Sequence, residues 1–203
     1  PGRVDGDHSM DSRLRDMYRE GLKGTQEYEN LRKKLIKDRL ERGKPHLEAL
    51  IRSLTEIVDF SKDLGLFLGL ENRLHHYELP IFEELEVLLD EFQQPWVGWQ
   101  LDVGHIQVHD RLGLMSFKQW LEAFSPRMVG VHLHDVQDLV DHQLPCTGDV
   151  DFAWLASYLP AHAVRTLEIN NAAAFEDFLP GLKLLEKTGC IASINSERRN
   201  VPC

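Results

Sequence analysis

Basic charge is scarce in this chain. Lys and Arg number 23 against 33 Asp and Glu, a net charge of −10 over 203 residues. That balance argues against a broad phosphate-binding surface, because nucleic-acid contacts rely on clustered Lys and Arg; a small local anion site stays open. Cysteine is scarce as well. Cys146, Cys190 and Cys203 are odd in number and share no metal-like spacing, which points away from a disulfide framework. There is no signal peptide and no long apolar stretch, so a soluble, reducing, cytoplasmic setting with free thiols is the expectation. The chain opens on Pro1 rather than Met, as a fragment would. Its length suits one α/β domain, whereas complete eight-stranded barrels need about 250 residues.

What the chain does have is four short apolar runs that each stop on a metal-binding residue. They are Leu64–Glu71, Val97–His105, Met128–Asp135 and Val164–Asn170. Glu71, Asp102, His132 and Glu168 lie 31, 30 and 36 positions apart, about one strand, one loop and one helix each. The four ends are therefore expected at one rim of a parallel sheet or barrel, where (β/α)₈ active sites lie.

Between the runs, helical spacing recurs. After a loop at residues 1–9, Asp11 to about Leu40 reads as one or two solvated helices, broken near Gly21–Gly24 and again at Gly43–Pro45. Leu47, Leu50, Ile51, Leu54, Ile57 and Val58 give an amphipathic helix from Pro45 to near Gly65. Further helices are expected over Pro80–Phe92, Ser116–Phe124, Asp151–Leu159 and Phe175–Lys187, with a polar tail over Ile194–Cys203. This βα alternation implies a parallel sheet with right-handed crossovers, in one domain over 1–203 with a charged lead-in over 1–44.

Each candidate has competing readings. Glu71 ends an apolar strand and needs a cation or several donors; an ion pair with Arg73 or Lys62 would also serve. Asp102 and His105, three apart around Gly104, can turn into one cavity, or Asp102 can cap the next helix. His132 and His134 alternate along one strand and share a face, with Leu133 opposite. Asp135 reads as a ligand or as a cap. Asp141 and His142, in the loop after the third strand, bring further ligands or shape a turn. His8, His46, His75, His76, His109 and His162 read as solvated, with the His75-His76-Tyr77 loop a partial exception at the same rim. Two Glu, one Asp and one His form an oxygen/nitrogen site for one divalent ion: Mn²⁺, Mg²⁺, Co²⁺ or Zn²⁺.

The segments LGLENR, LDVGH, VGVHLHD, DHQLPCTGDVDF and TLEIN, in this order, resemble the xylose isomerase-like TIM barrel superfamily. That group includes sugar phosphate isomerases/epimerases and endonuclease IV-type (AP endonuclease family 2) enzymes. The resemblance runs from about Gly2 to Lys187 and implies a TIM (β/α)₈ barrel. The Glu-Asn strand resembles the fifth of eight, so this chain would cover about strands five to eight, the C-terminal half. In the epimerase branch, the resemblance implies one divalent ion on Glu71, Asp102, His132 and Glu168, with the two Glu as acid and base. In the endonuclease branch it implies a trinuclear zinc cluster that also uses His105, Asp141 and His142. Three features depart from the pattern. Strands one to four are absent, Cys146 stands where Gly is usual, and residues 11–40 have no counterpart in the shortest members.

The expected chemistry is proton transfer next to a sugar carbonyl. Glu168 and Glu71 would move the proton, while His105 and Arg73 orient hydroxyl or phosphate groups. The substrate would be a small carbohydrate; charge argues against nucleic acid as a partner, and no membrane partner is expected. A homo-oligomer would cover the open sheet edges. Zinc-dependent cleavage of abasic DNA and a non-catalytic metal-binding barrel module are the alternatives.

Overall fold

The protein, described by a computed structural model over residues 2–169 and 175–193, is built around four parallel strands. These are β1 (Leu68–Glu71), β2 (Val97–Asp102), β3 (Met128–Leu133) and β6 (Val164–Leu167), hydrogen-bonded in the order β1-β2-β3-β6. That is half the eight parallel strands of a complete barrel. A short antiparallel hairpin, β4 (Asp135–Gln137) with β5 (Val140–Gln143), follows β3. The helices are α1 (Ser9–Arg19), α2 (Gln26–Leu64), α3 (Phe82–Glu91), α4 (Val103–Leu112), α5 (Phe117–Phe124), α6 (Phe152–Ala156) and α7 (Phe175–Thr188). Among the described residues no helix is long and apolar enough to cross a membrane.

Period-two alternation sorts the strand residues onto two faces. Trp99, Leu101, Val131 and Leu133 are buried in one cluster with Leu85, Ile106, Trp120 and Leu121. Each such burial contributes about 1.5–3 kcal/mol. Gln100, Asp102 and His132 alternate with these core residues. Gly130 on this face is kept bare because a Cβ there would overlap the Gln100 carboxamide.

The lead-in departs most from the expected pattern. The break between α1 and α2 is real, and Gly21 and Gly24 both adopt left-handed φ there (75° and 88°). The expected second break is not: α2 runs 39 residues straight through Gly43 and Pro45. Pro45 removes the N–H that would reach Glu41, which normally breaks a helix interior. Anchors on both sides override it. Arg39 is buried against Glu84, and a Cβ on Gly43 would overlap the Arg39 guanidinium and lie 2.8 Å from Glu84 Oε1. Beyond Pro45, Leu47, Leu50, Ile51 and Leu54 pack on Val58, Leu88, Phe92 and Val97. Nor is this region simply solvated. Tyr28, Leu35 and Arg39 are buried, and Tyr28 donates its hydroxyl to Leu112 O at 3.0 Å.

Other boundaries shift for local reasons. The first strand begins at Leu68, since α2 continues to Leu64 and Leu66 and Phe67 stay exposed. The second run is a strand only to Asp102, whose carboxylate caps α4, a helix the sequence reading missed. The loop carrying Asp141 and His142 is the hairpin β4–β5. Asp151 caps α6, which ends at Ala156 rather than Leu159. Strand β6 stops at Leu167; Asn170 and the tail Ile194–Cys203 lie outside the described residues.

Candidate metal centre

Parallel strands deliver their C-terminal ends to one rim. In the β2–β3 register Asp102 sits beside His132. Glu71 ends β1 and Glu168 follows β6, so the two glutamates approach from opposite edges of the sheet. All four converge. His132 Nδ1 lies 2.6 Å from Glu168 Oε2, 3.5 Å from Asp102 Oδ2 and 3.7 Å from Glu71 Oε1.

A second group shares Asp102 with the first. His105, on the first turn of α4, points Nε2 to Asp141 Oδ2 at 3.5 Å, while its Nδ1 meets Asn72 O at 2.9 Å. A donated bond to that carbonyl places the proton on Nδ1 and leaves the Nε2 lone pair free toward Asp141. His142 from the hairpin reaches Asp102 Oδ2 at 3.9 Å and Glu168 Oε1 at 3.7 Å. Two sets, Glu71–Asp102–His132 and Asp102–His105–His142, each offer three ligand atoms lying within 4.8 Å of one another.

The donor set fits a divalent cation. Asp102 Oδ2, His132 Nδ1, Asp141 Oδ2, His142 Nδ1 and Glu168 Oε2 are buried without a well-formed hydrogen bond, and meet one another only as ion-pair contacts such as His132–Glu168 at 2.6 Å and His142–Asp141 at 3.2 Å. Unpaired buried polar atoms are costly, at about 1–3 kcal/mol each. Asp102 Oδ2, His132 Nδ1 and Glu168 Oε2 come together at the strand ends, and such carboxylate and imidazole donors suit Mn²⁺, Mg²⁺, Co²⁺ or Zn²⁺.

Electrostatics agree. Burial would raise the Asp102 carboxyl, but His132, His134 and His105 hold it well below the usual carboxylate range. Asp102 and Glu71 push His132 up to about 10. Burial would likewise raise Glu71; His132 and Arg73 outweigh it and keep it lowered. The His142 imidazole is raised by Asp141 beside it.

The remaining candidates divide. Arg73 forms the ion pair with Glu71, at 2.5 Å, and also lies 3.9 Å from Glu78. His134 is fully buried and contacts Asp102. Asp135 ties down the loop: Oδ1 accepts the N–H groups of Val136 and Val150, and Oδ2 that of Cys146. Cys146 has φ 85°, the left-handed region natural to glycine.

His109, read as solvated, is in fact buried, as is His76 of the loop set apart as an exception; the two pack edge to face, 6.0 Å between ring centres. Their partners come from distant segments, which local pattern cannot register. Sequence reasoning also missed Asn72. It is fully buried, and its Oδ1 accepts from Trp99 Nε1 (3.0 Å) and Asp102 N (2.9 Å) while Nδ2 donates to Asp102 O (2.9 Å). An amide directly after a strand-end carboxylate was the available signal.

The model of the xylose isomerase-like TIM barrel family matches residues 31–187. Among solved structures, 3-keto-D-glucoside 4-epimerase (YcjR) from E. coli is similar at 17% identity and TM-score 0.55, over 70% of this chain and 53% of that one. A D-tagatose 3-epimerase-like protein is similar at 23% identity and TM-score 0.51, over 70% and 54%. The IOLI protein, with a binding zinc atom, is similar at 19% identity and TM-score 0.56, over 70% and 56%. The chain thus spans about half the length of the solved structures it matches. No curated protein matches it in sequence.

Proposed function

This chain belongs to the xylose isomerase-like TIM barrel family, and on that footing we propose that it carries the metal-binding half of a sugar isomerase or epimerase site. The observation that carries the reading is the approach of Glu71 and Glu168 to one imidazole, His132, from opposite sheet edges. Glu71, Asp102, His132 and Glu168 would hold the ion. A divalent ion bound there would polarise a substrate carbonyl and its neighbouring hydroxyl. One glutamate takes the proton from the carbon next to the carbonyl as the C–H electron pair moves toward the carbonyl oxygen. The same or the opposite glutamate returns a proton, giving isomer or epimer. Arg73 keeps Glu71 ionised and oriented, and His105 offers Nε2 to a substrate hydroxyl. The epimerases among the similar structures support a small carbohydrate as substrate.

Incubation of the Mn²⁺-loaded protein with ketoses in deuterated water tests this: deuterium should enter the carbon beside the carbonyl, and Glu168→Gln should abolish the exchange. The triad Asp102–His105–His142 favours a second reading, phosphodiester hydrolysis with more than one ion. Cleavage of an abasic-site duplex without sugar exchange, by protein holding two or three ions per chain, would establish that reading instead.

The four strands leave β1 and β6 with one unpaired edge each among the described residues. We propose that further strands of a longer barrel, or a second copy, pair with those edges. A heat-stable 23.4 kDa monomer in solution would speak against it.

A further inference from the structure

The centre contains a histidine whose geometry is not that of a ligand. His134 is fully buried. Its Nδ1 accepts the backbone N–H of His142 at 2.6 Å, and its Nε2 lies 3.0 Å from Asp102 Oδ1. Because Nδ1 accepts, the ring proton sits on Nε2 and is donated to Asp102. The Gly104 N–H also approaches Nε2, at 3.4 Å, the longer of the two contacts. Both ring nitrogens are engaged, so neither presents a lone pair to an ion.

We infer, building on the metal-centre reading above, that His134 is a positioning residue that fixes Asp102 as a one-oxygen ligand. Oδ1 of Asp102 receives two donors, His134 Nε2 and the His105 N–H at 2.9 Å. Oδ2 receives none and faces His132 at 3.5 Å and His142 at 3.9 Å. One oxygen is thereby held within the fold and the other is presented to the ion. The same ring stacks on His142, 4.2 Å between centres and 13° from parallel, so it also sets the hairpin that brings Asp141 and His142 to the centre. Space for the ring comes from Gly104. A Cβ there would overlap the His134 ring and stand 2.8 Å from Asp141 Cβ. Partners that orient a ligand typically change metal affinity by about 10–100-fold when removed.

The test compares wild type with His134→Gln and His134→Leu in the full chain. Zn²⁺ affinity is measured by competition with a chromophoric chelator, Co²⁺ coordination by its visible spectrum, and folding by metal-free thermal melts. Gln carries an N–H near the Nε2 position and should retain affinity within about threefold. Leu should weaken Zn²⁺ binding about 10–100-fold and alter the Co²⁺ spectrum. Leu binding as tightly as wild type, with the same spectrum, overturns the positioning role. If His134→Leu does not fold, ¹⁵N shifts of the wild-type His134 ring decide: an Nε2–H tautomer supports the inference, and an Nδ1–H tautomer overturns it. Wild type that binds neither ion removes the metal-centre reading itself, an outcome distinct from equal binding by Leu and wild type.

Discussion

Arg39 and Glu84 meet in a two-bond fork, Nη1 to Oε1 at 2.8 Å and Nη2 to Oε2 at 2.9 Å, with both side chains buried. Arg39 also donates to the carbonyls of His76 and Glu78, and Glu84 Oε2 accepts the Ile81 N–H that begins α3. Arg39 thus fastens α2 both to α3, through Glu84, and to the loop that follows Glu71. Breaking a buried pair on one side leaves an uncompensated charge. Arg39→Met should therefore destabilise the protein by about 3–5 kcal/mol, whereas Arg39→Met with Glu84→Met should recover much of that loss. Urea denaturation of the three proteins checks both expectations.

His76 and His109 should make the fold acid-sensitive. Burial, then Arg39, lowers His76 to about 4; burial, then His76, lowers His109 to about 3. Unfolded histidine titrates near 6.5. Below that pH the unfolded chain takes up protons that the folded chain refuses. Stability is complete above about pH 6.5 and is lost as pH falls toward 3–4. Melting temperature should fall between pH 7 and pH 5, and His76→Phe should flatten that slope. A parallel fall in the variant would refute the assignment.

Metal affinity should respond to pH in the same direction for a different reason. His132 is pushed up to about 10 by Asp102 and Glu71, and so it holds a proton at neutral pH without an ion. Its contribution to metal-free stability is complete below about pH 6.5 and lost as pH rises toward 10. An ion must displace that proton. Zn²⁺ affinity should rise with pH between 6 and 8, by up to about tenfold per unit if one proton is released. Calorimetry in buffers of different ionisation enthalpy counts the protons; binding with no proton release would remove His132 from the ligand set.

Pro45 sits exposed inside α2. Ala there restores the N–H to Glu41 O without disturbing a buried contact. Pro45→Ala should stabilise the protein by about 1–3 kcal/mol, measured as a higher urea midpoint. An unchanged or lower midpoint would show that Pro45 costs this helix no stability.

The sequence alone determined the four strands and the rim they share. Strand identity is a local matter: an apolar run such as Met128–Leu133 buries whichever fold it enters, and parallel pairing sends all four C-terminal ends the same way. The meeting of Glu71, Asp102, His132 and Glu168 at one rim was legible for that reason. Only the tertiary structure decided how buried polar groups are satisfied. Asn72 reaches Trp99 and Asp102, Arg39 reaches Glu84, and His109 reaches Leu74 O, across gaps of 27 to 45 positions that no periodicity records. The continuity of α2 through Pro45 belongs here too, because burial on both sides outweighs the local propensity to break. Apolar burial follows neighbours in sequence; a buried hydrogen bond follows neighbours in space, and those exist only once the chain has folded.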